Sequence, residues 1–193
     1  MEILLASTSP YRQRLLERLQ IKFRAVPPDA DERALPGEAP ANMALRLARS
    51  KAKSVSESNP EALVIGSDQV ACVDAQILGK PGNFLAALDQ LRRCSGKPVH
   101  FYTAIALLNT HQKWERFHVE RFTVHFRRLS DTQISDYLRR EQPFDCAGSF
   151  KVEGLGIVLF ERLTGDDPSS LEGLPLIKLT ELLGEAGVEI LCC

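Results

Sequence analysis

With 193 residues, 44% of them hydrophobic, the chain can bury a core of one domain or two closely joined lobes, and it is read as a single domain over residues 1–193. A net charge of −1 provides no basic field for nucleic acid. No apolar run approaches the roughly 18 residues of a membrane span, and the first apolar stretch is too short for a signal-peptide core; the expectation is a soluble, cytoplasmic protein without a nucleic-acid or membrane partner.

Taken in order, "EILLA" (2–6) predicts a strand and "SPYRQRLLERLQ" (9–20) a helix with Leu15, Leu16 and Leu19 on one face. "IKFRAV" (21–26) predicts a second strand, followed by the acidic, proline-rich loop "PPDADERALPGEAP". A long helix is expected over 41–57, with Met43, Leu47 and Val55 facing inward. "ALVIGSDQVACVDAQILGKP" (62–81) reads as strand, polar turn, strand, a tight turn at Asp74-Ala75 and a short return. A helix over 83–94 precedes two long strands, "PVHFYTAIALLN" and "WERFHVERFTVHFRRL". The alternation of the second slips at Glu120-Arg121, which predicts a bulge or twist. "SDTQISDYLRREQ" predicts a helix capped by Ser130. "GIVLFERL" predicts a strand, and "LEGLPLIKLTELLGEAG" (171–187) the last helix. Mixed α/β order with adjacent antiparallel strands disfavours a purely parallel sheet.

The five cysteines, Cys72, Cys94, Cys146, Cys192 and Cys193, are odd in number and contain no C-x-x-C pair. They argue against a disulfide framework. Cys146 in "DCAGSF" has the composition of a nucleophile, but a small semi-buried residue is the more common outcome. No two of His100, His111, His118 and His125 have i, i+4 spacing, so a structural zinc site is not expected.

Polar residues concentrate at a few places. Ser9 followed by Pro10 is an N-cap and a proline at the first helical position. The capping-box place three residues on holds Arg12 instead of Glu or Gln. Ser7, Ser9, Arg12 and the positive helix end together suit an anion, although an ordinary capped helix uses the same residues. Asp29, Asp31 and Glu32 lie in the loop after a strand. Asp68 closes "ALVIG", Lys51 and Lys53 lie in the long helix, and Lys80 sits in the "LGKP" turn. Singly, each has a solvated-surface reading. Together they suit a metal–triphosphate site, with two carboxylates on Mg²⁺ and cations on the phosphates.

"LLASTSPYR", "DADE", "RLARSKAK", "IGSDQV", "LGKP", "DCAGSF" and "GDDPSSLEGLPL" resemble, in order and spacing, the motifs of the Maf family from residue 3 to about 183. The resemblance implies an ITPase-like mixed α/β sheet with flanking helices, in an elongated, two-lobed single domain with a central cleft. It implies hydrolysis of a nucleoside triphosphate between the α- and β-phosphates, a divalent cation (Mg or Mn) and an isologous homodimer. By motif match, Ser7, Ser9, Arg12 and Lys51 bind the substrate phosphates, and Asp68, Lys80 and Glu32 are catalytic. Glu32 and Asp68 are also the metal residues, and which of them is base and which is ligand stays open.

Departures from the common pattern point to the base. Tyr11 replaces the first arginine of S-P-R-R, Gln69 the threonine of A-D-T, and Lys151 and Glu153 the glycine and glutamine of G-A-Y-G-I-Q-G. These resemble the subfamily acting on 7-methyl-GTP. Methylation at N7 makes the guanine ring cationic. Tyr11 could stack on it, Glu153 could accept from N1–H and the exocyclic amine, and Gln69 could donate to O6. Two other readings stay open: the same chemistry on pyrimidine (dTTP, UTP) or other modified nucleotides, and a nucleotide-binding regulator of cell division or septum formation.

Overall fold

The computed structural model describes residues 1–191. The three cysteines among them, Cys72, Cys94 and Cys146, are free; the expectation for Cys192 and Cys193 lies outside the described residues. The strands are β1 (Ile3–Ala6), β2 (Arg24–Val26), β3 (Leu63–Val73), β4 (Gln76–Leu78), β5 (Pro98–Asn109), β6 (Trp114–Phe126) and β7 (Phe160–Thr164). The α-helices are α1 (Pro10–Glu17), α2 (Pro40–Ser56), α3 (Phe84–Cys94), α4 (Asp131–Glu141) and α5 (Leu176–Glu185). Strand order is β2-β1-β3-β5-β6-β7, with β4 on β3. β1 is parallel to β2 and β3, whereas β3–β4 and β6–β7 are antiparallel. The sheet is thus mixed, as expected.

The described chain forms two compact units. The first holds Met1–Gln69, Thr103–Glu120 and the chain from Asp167 on; the second holds Val70–Tyr102 and Arg121–Asp166. The core of the first gathers Ile3 and Leu5 of β1, Leu15 and Leu16 of α1, Leu63 and Ile65 of β3, and Leu179, Leu182 and Leu183 of α5. Leu19 packs against it partly buried. The second is built on aromatic rings. Phe150 meets Phe101, Phe126 and Phe160 edge-on, with centroids 4.9–5.5 Å apart, a favoured aromatic geometry.

Local chemistry sets several boundaries. Ser9 and Ser130 cap α1 and α4, and Gln133 completes a capping box at Ser130. Asp74 and Ala75 both take positive φ in the β3–β4 turn, as a two-residue hairpin requires. Four expectations need correction. The first helix ends at Glu17, because the chain turns through Gln20 at φ 54°. The second strand begins only at Arg24. "GIVL" lies in a 3₁₀ turn (Leu155–Leu159), so only Phe160–Thr164 is strand. "LEG" ends another 3₁₀ turn (Pro168–Glu172) capped by Asp167, so the last helix starts at Leu176.

The fifth difference matters for the site. "GSDQ" is not a turn: β3 runs unbroken through eleven residues. Its polar side chains each find a partner, so the run does not interrupt the strand. α2 rides close on this strand at Gly66. A Cβ there would lie 2.2 Å from Ala48 O and 2.8 Å from Ala52 N. Gly66→Ala should therefore destabilise the protein by at least about 1–3 kcal/mol, the usual cost of overpacking. Gly79→Ala, with nothing within 4 Å, should stay within about 0.5 kcal/mol of wild type. Urea denaturation of both variants is the check, and equal midpoints would sink the close-approach account.

Candidate active site

The site grows from β3 and α2 in the first unit. Asp68 lies two residues beyond Gly66, on the same face of the strand. Lys51 lies on the inner face of α2 beside Ala48 and Ala52, all buried. Because helix and strand approach so closely at Gly66, Lys51 reaches Asp68. Its Nζ donates to Asp68 Oδ1 at 2.7 Å and lies 2.5 Å from Glu32 Oε1. Side-chain exposures are 8% for Lys51, 11% for Asp68 and 63% for Glu32. A buried ammonium is thus held between two carboxylates, one inside and one at the solvent edge. The helix lysines expected to cover a surface therefore divide: Lys51 is buried, and Lys53 is exposed.

Glu32 is not on a loose loop. Arg46 of α2 pairs with Glu38 at 2.6 Å and donates to Arg33 O at 3.0 Å. Asp29 N donates to Ser54 Oγ at 3.2 Å. These contacts hold both ends of the acidic segment on α2.

The opening turn supplies the second cation. Ser9 N donates to Ser7 Oγ at 3.1 Å, and Arg12 N to Ser9 Oγ at 3.4 Å. Both hydroxyls accept in these bonds and keep their protons to donate. Pro10 has no N–H and Arg12 N is used by the cap, so the hydroxyls and the guanidinium, more than free backbone amides, present donors here. Arg12 Nε donates to Gly173 O at 2.9 Å. Burial pushes the guanidinium pKa down, while Asp68 and then Glu32 pull it back up; an arginine stays charged under such opposition. The two acids that flank Lys51 are thus also the charges that favour the Arg12 cation.

Residues 67 and 69 alternate to the other face of β3 and tie down the 3₁₀ turn. Ser67 Oγ donates to Gly173 O at 2.9 Å. Gln69 Nε2 lies 2.7 Å from Ser170 O, 3.1 Å from Leu171 O and 3.0 Å from Thr103 Oγ1. Two carbonyls fix which end of the amide is nitrogen, and both its protons are committed. In this structure both amide protons of Gln69 serve these partners, and its Oε1 is the atom left to present. Tyr11, in the first turn of α1, is partly exposed.

Lys80 and Glu153 belong to the second unit, and both are exposed. The turn bearing Lys80 is held by Gln90 of α3, which donates to Gly79 O at 3.0 Å and accepts from Ser149 Oγ at 2.6 Å. Glu153 is bracketed by two anchors from α4: Lys151 N donates to Tyr137 Oη at 3.1 Å, and Leu155 N to Glu141 Oε2 at 2.7 Å. The sequence singled out none of Ser67, Thr103, Gly173, Gln90, Tyr137 or Glu141. For Gly173 a signal existed: Asp167-Pro168 opens a capped turn and a glycine follows it, the usual punctuation of a helical turn. Cys146 Sγ donates to the Asp145 carboxylate at 3.5 Å, a neighbour that opposes a thiolate nucleophile.

Among the described residues no group of three or more His, Cys, Asp or Glu is poised to hold a metal. Glu32 and Asp68 nonetheless converge on one cation position, occupied by Lys51 Nζ. Two carboxylates completed by substrate phosphates and water form a donor set of the kind Mg²⁺ uses. The residues present fit a divalent cation that enters with a nucleotide.

The fold is that of the Ham1 proteins. The Staphylococcus aureus Ham1 protein superposes with a TM-score of 0.54 at 12% identity, covering 97% of this chain and 100% of that one. A HAM1 protein from Coxiella burnetii gives 0.54 at 15% identity, covering 96% and 99%. Within that fold the family is defined by sequence: the Maf-like protein model matches residues 2–186, and the chain belongs to the Maf family. A relative from Nitrosococcus oceani is 54% identical over 189 residues, 98% of this chain and 95% of its own. One from Vibrio cholerae is 50% identical over 190 residues, 98% of each. Both are named 7-methyl-GTP pyrophosphatase. No helix of the described residues is long and apolar enough to cross a membrane.

Removing one partner of a buried ion pair leaves the other charge stranded, typically at a cost of about 3–5 kcal/mol. Lys51→Met should destabilise the protein on that scale. Adding Asp68→Asn should recover part of the loss, so that the double variant is more stable than the sum of the singles. Denaturant titration of the cycle is the check; strict additivity would mean that the two side chains do not depend on each other.

Proposed function

We propose that the protein is a divalent-metal-dependent nucleoside triphosphate pyrophosphatase acting on 7-methyl-GTP and releasing 7-methyl-GMP and pyrophosphate. The observation that carries the chemistry is the Lys51 ammonium set between Asp68 and Glu32 with Arg12 beside them. The names of the half-identical relatives support the same substrate. Such a set handles a polyanion whose charge shifts during reaction.

In the reaction a water oxygen bonds to the α-phosphorus, the bridge from the α-phosphorus to the β-phosphate breaks, and pyrophosphate leaves with the bonding electrons. Asp68 takes the proton of the attacking water. Its Oδ1 is engaged by Lys51, so Oδ2 is the oxygen that receives it. Lys51 fixes the carboxylate rotamer, so that the free oxygen is held in one place for the transfer. Arg12, with the Ser7 and Ser9 hydroxyls, stabilises charge gathering on the leaving pyrophosphate. Lys80 serves the same charge by the motif match. A divalent cation held by Glu32 and Asp68 would polarise a phosphoryl oxygen and neutralise the leaving group.

For the base, Tyr11 offers a ring face to the N7-methylated cation, worth roughly 0.5–2 kcal/mol. Glu153 offers an ionised acceptor to N1–H and the exocyclic amine. Gln69 contributes by holding the 170–171 carbonyls and, toward a ligand, only as an acceptor.

Activity should yield pyrophosphate, not orthophosphate, and stop in excess EDTA. Asp68→Asn should lower kcat by at least about 100-fold while nucleotide binding survives. Product analysis and single-turnover assays test this; a near-normal kcat in the variant removes Asp68 as the base.

Glu153→Gln should narrow the preference for 7-methyl-GTP over UTP and dTTP by about ten- to thirtyfold in kcat/KM, the difference between a charge-assisted and a neutral hydrogen bond. The preference over GTP should narrow too, because the carboxylate also favours the ring cation. Tyr11→Arg should penalise the methylated base further and spare UTP. A wild type that prefers UTP or dTTP contradicts the base assignment and leaves the pyrophosphatase chemistry standing.

A further inference from the structure

We propose that Gly173 is the positioning residue for Arg12: its carbonyl aims the guanidinium at the substrate phosphates, and its missing side chain leaves room for it. The inference rests on the reading of Arg12 as a phosphate ligand.

Two independent features of Gly173 meet at Arg12. The carbonyl accepts from Arg12 Nε at 2.9 Å and from Ser67 Oγ at 2.9 Å. Ser67 is the strand residue next to Asp68, so one carbonyl links the arginine to the backbone that carries the acid. With Nε anchored, the guanidinium plane is fixed and its two terminal nitrogens are left for a ligand; an arginine fork is specific only when its plane is held. The second feature is steric. Gly173 has φ +110°, and a Cβ on it would lie 3.2 Å from Arg12 Nε and 3.5 Å from its Cγ. A side chain there would both strain the turn and push the arginine off its anchor.

The turn is rigid enough to act as a fixed point. Gly173 N donates to Ser170 O at 3.0 Å, Thr103 Oγ1 donates to the same carbonyl at 2.8 Å, and Gln69 adds the bonds described above. Asp167 accepts from Ser169 N at 2.9 Å and from Ile177 N at 2.7 Å, locking the turn to the start of α5. Every one of these residues lies in the first unit.

The test is a cycle of full-length variants: Gly173→Ala, Arg12→Ala and the pair. Pyrophosphate binding is measured by calorimetry and KM and kcat with 7-methyl-GTP, with thermal melting as the folding control. Gly173→Ala should weaken pyrophosphate binding and raise KM about tenfold, the scale of a hydrogen bond to a charged group. It should lower kcat as well, because Arg12 also meets the charge that gathers on the leaving pyrophosphate. In the Arg12→Ala background it should add less than about twofold to the loss. Equal losses in both backgrounds would mean that Gly173 acts independently of Arg12 and would overturn the proposal. Unchanged binding in Arg12→Ala alone would remove Arg12 from phosphate binding, and the proposal with it. Weakened binding in Arg12→Ala beside normal binding in Gly173→Ala would overturn the positioning role only. Arg12→Lys needs no change in the turn and covers the case in which Gly173→Ala fails to fold. It keeps the charge but has no Nε fork to anchor, so it should bind pyrophosphate within about threefold of Arg12→Ala. Near wild-type affinity in Arg12→Lys would show that charge alone suffices and would overturn the proposal.

Discussion

The contact on which the site depends is the Lys51 ammonium between Asp68 and Glu32. A charged amine at 8% side-chain exposure is tolerable only because two carboxylates compensate for the water it has lost. That demand propagates into the fold. For Nζ to reach Oδ1 at 2.7 Å, α2 must lie almost on the strand. The sequence permits this by placing Ala44, Ala48 and Ala52 on the helix face and Gly66 on the strand, all without bulk. The small-residue stripe and the buried charge are thus one feature: the first brings the backbones together so that the second can form.

β3 then works on both of its faces. Side chains alternate along a strand, so Asp68 faces Lys51 while Ser67 and Gln69 face the turn before α5. On one side the strand orders the acid and cation. On the other it captures the carbonyls of residues 170, 171 and 173. Arg12 connects the two networks. It is bonded to the turn through Gly173 O and felt electrostatically by Asp68 and Glu32. A single extended segment therefore sets the relative placement of Asp68, both cations and the turn.

Much of this was legible in the sequence, and the failures share a cause. Ser9-Pro10 and Ser130 announced their helices because capping is local chemistry, and Asp74-Ala75 announced a turn for the same reason. "GSDQ" was misread as a turn because small polar residues usually accept their hydrogen bonds from nearby backbone. Here their partners are distant in sequence: Lys51, Thr103, and the carbonyls of 170, 171 and 173. The bonds that occupy the Gln69 amide were hidden for the same reason, since the carbonyls that take its protons lie far along the chain. Residues 156–159 read as the start of a strand because a short apolar run does not distinguish a strand from a 3₁₀ turn. The residue types at the site were visible through the motifs. What was hidden was which residues hold them in place, because Gly173, Tyr137 and Glu141 act through one or two bonds to residues distant in sequence that leave no periodic trace.

The charge of the site also bears on the proposed metal. Arg12 and Lys51 are offset by Glu32 and Asp68, so the set is formally neutral before a ligand arrives. A neutral site has little net attraction for a triphosphate. Lys51 is moreover partly neutralised by the acids that hold it in place. A divalent cation held by Glu32 and Asp68, as proposed, would change both terms by adding positive charge beside the phosphates and by sharing the carboxylates that now hold Lys51.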